Sequence, residues 1–411
     1  MGAAAVGTES GPAADPRPGA GTRFRALDGY RALACLLIVV AHVPEGPAGL
    51  LGAGYVGFLG VAMFFTLSGF LLYRPFVAAH LAGRPRPGTG RFLRRRLLRI
   101  YPAYLVALTG YLFVFDHPPV GSVLDYLKLY GFLQIYDAEL MPKGIPPAWT
   151  LCTEMSFYLA LPLLAMAARS LAAALWRAGD EARLRAEVCV VAGVFVVGPL
   201  FRMALVATGP HGVGDAWLPA QADYFGLGMA LAVASVWAAD GGRLPRAVDA
   251  MRRVPWLCYL LALELLWALG RFDLPVGFDR AGPGTQVARN LVYLGVCLCL
   301  VVPAAFGRAG ALGHRLLASR PLHALSEVSY ALYLWHMLWQ RQAVDWLGGP
   351  GPATFWSVLY VGLLLALTSA VLSYYLVERP AAAVRDGTGG RWWARVDARL
   401  GAGAYQPARS G

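Results

Sequence analysis

Charged residues are scarce in this sequence. Only 15% of its 411 residues are Asp, Glu, Lys or Arg, whereas 57% are hydrophobic and the mean hydropathy is +0.52. Lysine occurs only at Lys128 and Lys143, so arginine carries most of the positive charge. Charged residues make up about a quarter of a typical soluble domain. The scarcity excludes that class and indicates a protein that crosses a membrane several times.

The sequence also lacks the usual patterns of metal sites and disulfide frameworks. Its six cysteines lie in or at the edge of apolar runs without a CxxC pair, and its seven histidines form no HxxxH pair. Zinc sites and disulfide-rich domains normally show such spacings. We therefore expect no metal and no resident cofactor, and we expect the cysteines to be buried as small hydrophobic residues.

Apolar runs of the length that a helix needs to cross ~30 Å of hydrocarbon recur along the chain. They predict an all-α, polytopic membrane protein, a bundle of about ten transmembrane helices. The predicted spans are residues 27–45, 55–79, 97–115, 148–172, 187–207, 219–238, 255–270, 287–306, 324–345 and 353–377. We expect residues 1–25, which are rich in Gly, Pro and Ala, to form a disordered cytoplasmic tail. Residues 26–380 would form the transmembrane domain, and 381–411 a second cytoplasmic tail.

The positive charge is unevenly distributed. The net charge is +12, and its densest cluster is RPRPGTGRFLRRRLLR, residues 84–99. A basic chain can bind nucleic acid, but in the ten-span scheme most basic residues fall between spans on the same side, as the positive-inside rule expects. The charge therefore predicts topology, with both termini cytoplasmic. Membrane lipids are the expected partner and nucleic acid is not.

Two ionisable residues share one face of the first predicted span. Arg31 and His42 are eleven residues apart in LDGYRALACLLIVVAH, which places them within about 20° of each other on a helix and roughly 16 Å apart along its axis. Such residues are costly in a membrane and usually functional. In the alternative interpretation, Arg31 reaches the lipid headgroups and His42 marks the outer interface.

Four further motifs follow in order. They are VAMFFTLSGFLLYRPF (61–76), RFLRRRLLRIYP (91–102), WTLCTEMSFYLALPLL (149–164), and SYALYLWH (329–336) with the later VERP (377–380). Together with the arginine, ten residues and histidine of the first span, they resemble the acyltransferase-3 family of bacterial membrane acyltransferases. The resemblance covers residues 27–380 and includes the FFxxSGF and RxxR signatures of that family. The chain resembles the stand-alone form, without an appended hydrolase-like domain.

The resemblance implies an enzyme of the bacterial inner membrane. Such an enzyme moves an acyl group from cytoplasmic acyl-CoA to a hydroxyl of a carbohydrate, a cell-envelope glycan or a glycosylated secondary metabolite. It implies that His42 is the general base, and we expect Glu154 to lie at a similar depth and orient the imidazole. The residues expected to bind substrate are Arg31, Ser68, Arg96, Arg99, Trp149, Thr150, Tyr330, His336 and Glu378.

Several of these residues have a structural alternative. Glu154 can be an acid at a helix N-terminus with Thr150 as its cap. Arg96 and Arg99, one turn apart, can contact lipid phosphates instead of CoA. Ser68 and Gly69 can serve close helix packing. Glu378 can pair with Arg379.

Other polar residues lie outside these motifs. Arg202, Arg289 and Glu264 are candidates for acceptor specificity or for buried pairs. We expect His80, His211, His314 and His323 to be solvated. The segment 116–147 is expected to contain a short interfacial or re-entrant helix that forms a wall of the acceptor site. The rival function is a transporter or flippase, in which the same residues line a solute path without bond chemistry.

Overall fold

The computed structural model describes residues 24–44, 53–114, 120–175, 179–208, 212–272, 274, 282–350 and 353–385. The predicted tail at 1–25 lies outside these residues except for its last two, and of the predicted tail at 381–411 only 381–385 are described. Arg25, assigned to that first tail, is the first residue of a helix.

The described residues form helices and no strand. The α-helices are α1 Arg25–Ala41, α2 Ala53–Leu81, α3 Thr89–Phe113, α4 Val123–Tyr130, α5 Trp149–Leu175, α6 Asp180–Thr208, α7 Ala222–Ala239, α8 Arg246–Arg253, α9 Pro255–Arg271, α10 Pro283–Phe306, α11 Leu312–Leu317, α12 Arg320–Trp346, α13 Phe355–Ser373 and α14 Arg379–Arg385. A π-helical segment, Tyr374–Glu378, joins the last two. The predicted all-α fold class is confirmed.

Six of the described helices are long and apolar enough to cross a membrane: α2, α5, α6, α7, α10 and α13. A seventh results if α8 and α9, which meet at an angle of 100°, count as one span. Helices α1, α3 and α12 also cover predicted spans, but α1 has only 17 residues and the other two carry many polar side chains. The structure thus confirms a multi-span helical bundle, while the number ten stays a prediction.

Helix α2 packs against α1 and α7 at van der Waals distance between backbones. A methyl group added to Gly69 would lie 2.2 Å from the carbonyl oxygen of Phe225, and one added to Gly228 would lie 2.0 Å from that of Thr66. Only glycine permits this approach, as in many membrane helix pairs. Gly69 therefore serves helix packing, and its neighbour Ser68 faces a different helix, α5.

The predicted short helix between the third and fourth long helices is α4. Ser122 and Asp125 form a capping box at its start, and Val123, Leu124 and Leu127 are exposed. The chain after α4 then turns into the bundle, where Ile135, Leu140, Ile145 and Ala148 are buried. Helix α5 consequently begins within the bundle and not at its surface.

Two buried arginines outside the cavity have different contacts. Arg202 of α6 and Asp223 of α7 form an ion pair with an N–O distance of 2.5 Å, and the guanidinium of Arg289 lies over the ring of Phe58. Of the two alternatives for Arg202, the structure shows the buried pair.

The expectation that His80 is solvated is wrong. His80 is buried at the end of α2, and its Nδ1 lies 2.6 Å from Glu187 of α6, which also accepts a hydrogen bond from Tyr73. The sequence places His80 at a span end, but the partner that makes its burial possible lies 107 positions away. His211, also expected to be solvated, lies outside the described residues.

Candidate active site

A cavity of about 270 Å³ lies between α1, α2, α3, α5 and α12. Its walls bring together residues from all five motifs. Seven of the eleven predicted site residues line it: Arg31, Ser68, Arg96, Arg99, Thr150, Glu154 and Tyr330. His42, Trp149, His336 and Glu378 do not line it.

One end of the cavity is cationic. We call the end of the bundle at which α3 begins with its arginines, Arg91 and Arg94 to Arg96, the basic end. Arg31 lies close enough to Arg99 for their charges to interact, and the nearby carboxylates of Asp28 and Glu154 offset them. Arg96 packs over the ring of Phe92. Guanidinium groups facing a cavity are suited to bind phosphate.

The Nε of Arg96 is buried without a hydrogen-bond partner in the described part of the chain. The same holds for the Oε1 of Glu378. The charges of Arg31 and Arg99 act on the Glu378 carboxyl, although Glu378 does not line the cavity. Arg379 lies over the ring of Tyr375 instead of pairing with Glu378, so the predicted pair is not formed.

Glu154 lies at the level of Arg31 and not at that of His42. Its Oε1 accepts hydrogen bonds from Ser68, at 2.6 Å, and from Tyr158, at 2.7 Å, and its charge acts on Arg31. The expectation of a shared depth with His42 assumed that α5 begins at the surface. Because the preceding segment enters the bundle, the whole helix starts deeper. Glu154 therefore belongs to the cationic end of the cavity.

Thr150 does not cap α5. The helix begins at Trp149, one residue earlier, and the Thr150 hydroxyl lies 2.6 Å from that of Tyr333. Both hydroxyls are within hydrogen-bonding distance of the carbonyl oxygen of Pro147. This cluster closes the cavity at the end away from the arginines, where Ile38 and Phe64 also line it.

His42 and His336 form a pair just beyond this closed end. The Nε2 of His336 lies 3.3 Å from the Nδ1 of His42. The Nδ1 of His42 also lies 2.8 Å from the carbonyl oxygen of Ile38, which is one helical turn nearer the cavity. His336 is fully buried and sits one turn beyond Tyr333 on α12. The partner of His42 is thus a second histidine, and the predicted partner, Glu154, is bound elsewhere.

The remaining predicted residues have packing contacts. The hydroxyl of Tyr330 donates to the carbonyl oxygen of Ile100 on α3, while its side chain lines the cavity. The Trp149 ring packs edge-on against Phe65. Phe65 lines the cavity, and Trp149 does not. Trp149 therefore stands behind the cavity wall.

Four polar cavity residues were missed by the sequence analysis: Asp28, Tyr158, Ser329 and Tyr333. Ser329 is next to Tyr330, and the other three each lie three or four residues from a predicted site residue of the same helix, namely Arg31, Glu154 and Tyr330 or His336. Residues at this spacing share one helix face. The helical spacing within the motifs could therefore have identified these residues from the sequence.

The chain was compared with known proteins. Residues 24–375 match the family model Acyl_transf_3, described as an acyltransferase domain. The putative peptidoglycan O-acetyltransferase YrhL of Bacillus subtilis is 24% identical over 86% of this chain and 54% of its own length. Acyltransferase MdmB of Streptomyces mycarofaciens is 29% identical over 87% of this chain and 91% of its own. Nodulation protein 10 of Rhizobium leguminosarum is 26% identical over 79% and 82%.

The chain spans about half the length of YrhL and most of the length of MdmB. No solved structure matches it significantly. The family model covers most of the chain, including every helix from α1 to α13. The chain is a multi-span membrane protein that belongs to the acyltransferase-3 family.

Proposed function

We propose that this protein transfers an acyl group from a CoA thioester to a hydroxyl of a carbohydrate or of a glycosylated small molecule. It acts as a multi-pass enzyme of the bacterial cell membrane. Ten spans with both termini in the cytoplasm place the basic end of the bundle on the cytoplasmic side, where the positive-inside rule puts arginine. The donor then enters from the cytoplasm.

The observation that carries the proposal is the position of the cavity. It begins among Arg31, Arg96 and Arg99 and ends one helical turn from His42. The three guanidinium groups bind the phosphates of the donor. The narrow acyl-bearing arm extends between apolar side chains toward the histidines. A single cavity therefore connects the phosphate-binding arginines with the general base, His42.

The chemistry needs one proton acceptor. The Nε2 of His42 takes the proton of the acceptor hydroxyl while the oxygen attacks the thioester carbonyl, because an imidazole is the side chain best suited to exchange protons near neutral pH. The tetrahedral intermediate collapses, the C–S bond breaks, and the departing thiolate takes the proton back from His42. The products are the O-acyl acceptor and free CoA.

The acceptor class rests on the relatives. YrhL is named a putative peptidoglycan O-acetyltransferase, and MdmB is named an acyltransferase. A sugar hydroxyl reaching His42 from the end of the bundle opposite the arginines fits both the geometry and those names. We therefore place the acceptor site on the outer side, beside the segment that contains α4.

Release of free CoA by the purified protein in nanodiscs tests the proposal. We expect release from acetyl-CoA or a longer acyl-CoA in the presence of sugar acceptors, and its loss in His42→Ala. His314→Ala, on α11 and away from the cavity lining, is the matched control and retains release. If the wild type neither releases CoA nor binds acyl-CoA, the chain is better described as a transporter or flippase.

A further inference from the structure

The contacts of the two histidines allow their protons to be assigned. The Nδ1 of His42 lies 2.8 Å from the carbonyl oxygen of Ile38, and the Nδ1 of His336 lies 2.7 Å from that of Tyr333. A carbonyl oxygen only accepts hydrogen bonds. Both Nδ1 atoms therefore carry a hydrogen, because two lone pairs would repel at these distances.

A neutral imidazole carries one hydrogen, so the Nε2 atom of each ring has a lone pair. The Nε2 of His336 lies 3.3 Å from the Nδ1 of His42, so the one Nδ1–H of His42 is shared between the carbonyl oxygen of Ile38 and this lone pair. The Nε2 of His42 is left as the atom that can take a proton from a substrate. His336 thus occupies the position that a carboxylate occupies in a Ser-His-Asp triad.

We infer that His336 is a positioning residue that holds His42 in its Nδ1-protonated form and accepts a hydrogen bond from the imidazolium formed during the reaction. The inference rests on the proposed function of His42 as general base. His336 does not touch the substrate itself, since its side chain is fully buried whereas that of His42 is partly exposed.

The surroundings of the pair hold it rigidly. His336 is fully buried and packs beside the ring of Tyr333. Gln340, one turn further along α12, donates to the carbonyl oxygen of Val39 and so ties α12 to α1. Tyr111 of α3 bonds to the backbone of α12 on both sides of His336, at Leu334 and Leu338.

The titratable and charged groups that face the pair are few among the described residues. Tyr111 comes from α3, Tyr333 from α12, and the charge of Arg341 from α12 acts on His42. No carboxylate is within hydrogen-bonding distance of either ring in the described part of the chain. A neutral acceptor in place of a carboxylate suits a buried site, because an unpaired negative charge would be costly there.

The first test is the tautomer of His42. The full-length protein, labelled with ¹⁵N-histidine and held in nanodiscs, is examined by NMR, and the signals of His42 and His336 are assigned by their loss in His42→Ala and His336→Phe. We expect both rings to be protonated at Nδ1 and not at Nε2. A hydrogen on the Nε2 of His42 in the wild type would overturn the inference. This readout does not depend on activity.

The second test is the pH dependence of turnover. In His336→Phe, kcat falls about 10²-fold, within the range that general base catalysis contributes, and KM for acyl-CoA is unchanged because the arginines are intact. The acidic limb of the kcat profile also moves to lower pH, because the His42 imidazolium has lost its acceptor. His336→Gln, which keeps an acceptor oxygen, recovers part of the loss.

Trp339→Phe, one turn from His336 on the same helix, is the packing control and leaves the profile unchanged. If His336→Phe lowers kcat without moving the limb, and His336→Gln is no better, His336 only packs and the inference is wrong. If His42→Ala retains full activity, the proposed general base itself is wrong, which is a different outcome.

Discussion

The hydroxyl of Ser68 donates a hydrogen bond of 2.6 Å to Glu154, across 86 positions of sequence. It joins the FFxxSGF motif on α2 to the motif at the start of α5. Tyr158 donates a second hydrogen bond to the same oxygen. The carboxylate is therefore held in one orientation beside Arg31, at the cationic end of the cavity.

Removing both donors to Glu154 should cost more than the sum of the single changes. Ser68→Ala or Tyr158→Phe alone leaves the carboxylate one partner, whereas the double variant leaves a partly buried charge with neither. We expect each single change to lower the free energy of unfolding by about 1–3 kcal/mol. The midpoint of thermal unfolding in nanodiscs measures this. Ser156→Ala, on the same helix, serves as control, and strict additivity would contradict the expectation.

Arg99 and Arg95 should differ in their effect on donor binding. Arg99 lines the cavity, whereas Arg95, on the same helix, is exposed and does not. We expect Arg99→Ala to raise KM for acyl-CoA about tenfold. This factor corresponds to ~1.4 kcal/mol, the contribution of one charge-assisted hydrogen bond. We expect Arg95→Ala to leave KM unchanged. Steady-state kinetics over a range of donor concentrations gives both values. Equal effects would mean that general positive charge, and not the cavity, binds the donor.

The segment that contains α4 should loosen at low pH. Lys128 and Asp137 form an ion pair at 2.7 Å; their hydrogen bond raises the pKa of Lys128 and lowers the pKa of Asp137. Stabilisation from Asp137 is present above its unfolded pKa and is lost as pH falls through the lower folded value. Stabilisation from Lys128 is lost only as pH rises through its raised value.

Hydrogen exchange of residues 123–140 measures this effect. The ratio of exchange rates between Lys128→Ala and the wild type should exceed one at pH 7 and approach one below the folded pKa of Asp137. Comparing the two proteins at each pH removes the pH dependence of exchange itself. Lys143→Ala is the matched control. A ratio that does not change with pH would show that the ion pair does not hold the segment.

The pair of Arg202 and Asp223 should determine stability and not the choice of acceptor. Asp223→Ala leaves a buried arginine without its charge partner, which typically costs about 3–5 kcal/mol. Replacing both residues, as in Arg202→Met with Asp223→Leu, should restore most of the stability. Thermal unfolding and the acceptor profile are measured together. A changed acceptor profile in the stable double variant would instead assign these residues to specificity.

Much of the fold was predictable because membrane helices can be recognised from the length and composition of apolar runs. A described helix overlaps each of the ten predicted spans, although only six or seven of them are long and apolar enough to cross a membrane. The motif order identified the family that the comparison found. The cavity also brings together most of the predicted site residues. The spacing of Arg31 and His42 in the sequence was enough to place them on one face, since both belong to one helix.

The errors share one cause, which is that depth and partners depend on other helices. Glu154 was placed beside His42 because α5 was assumed to begin at the surface. His80 was placed in solvent because its partner, Glu187, lies on α6. Thr150 contacts Tyr333 across 183 positions of sequence. None of these contacts can be recognised from the sequence around either residue.

The sequence by itself determined the membrane class, the helices, the family and the polar face that carries Arg31 and His42, because periodicity and hydropathy are local properties of a chain. Only the tertiary structure decided that Glu154 faces the arginines and that His42 faces His336. Hydrogen bonds of 2.6 Å and 3.3 Å between residues 86 and 294 positions apart arise from how helices pack. That packing depends on all of the helices at once.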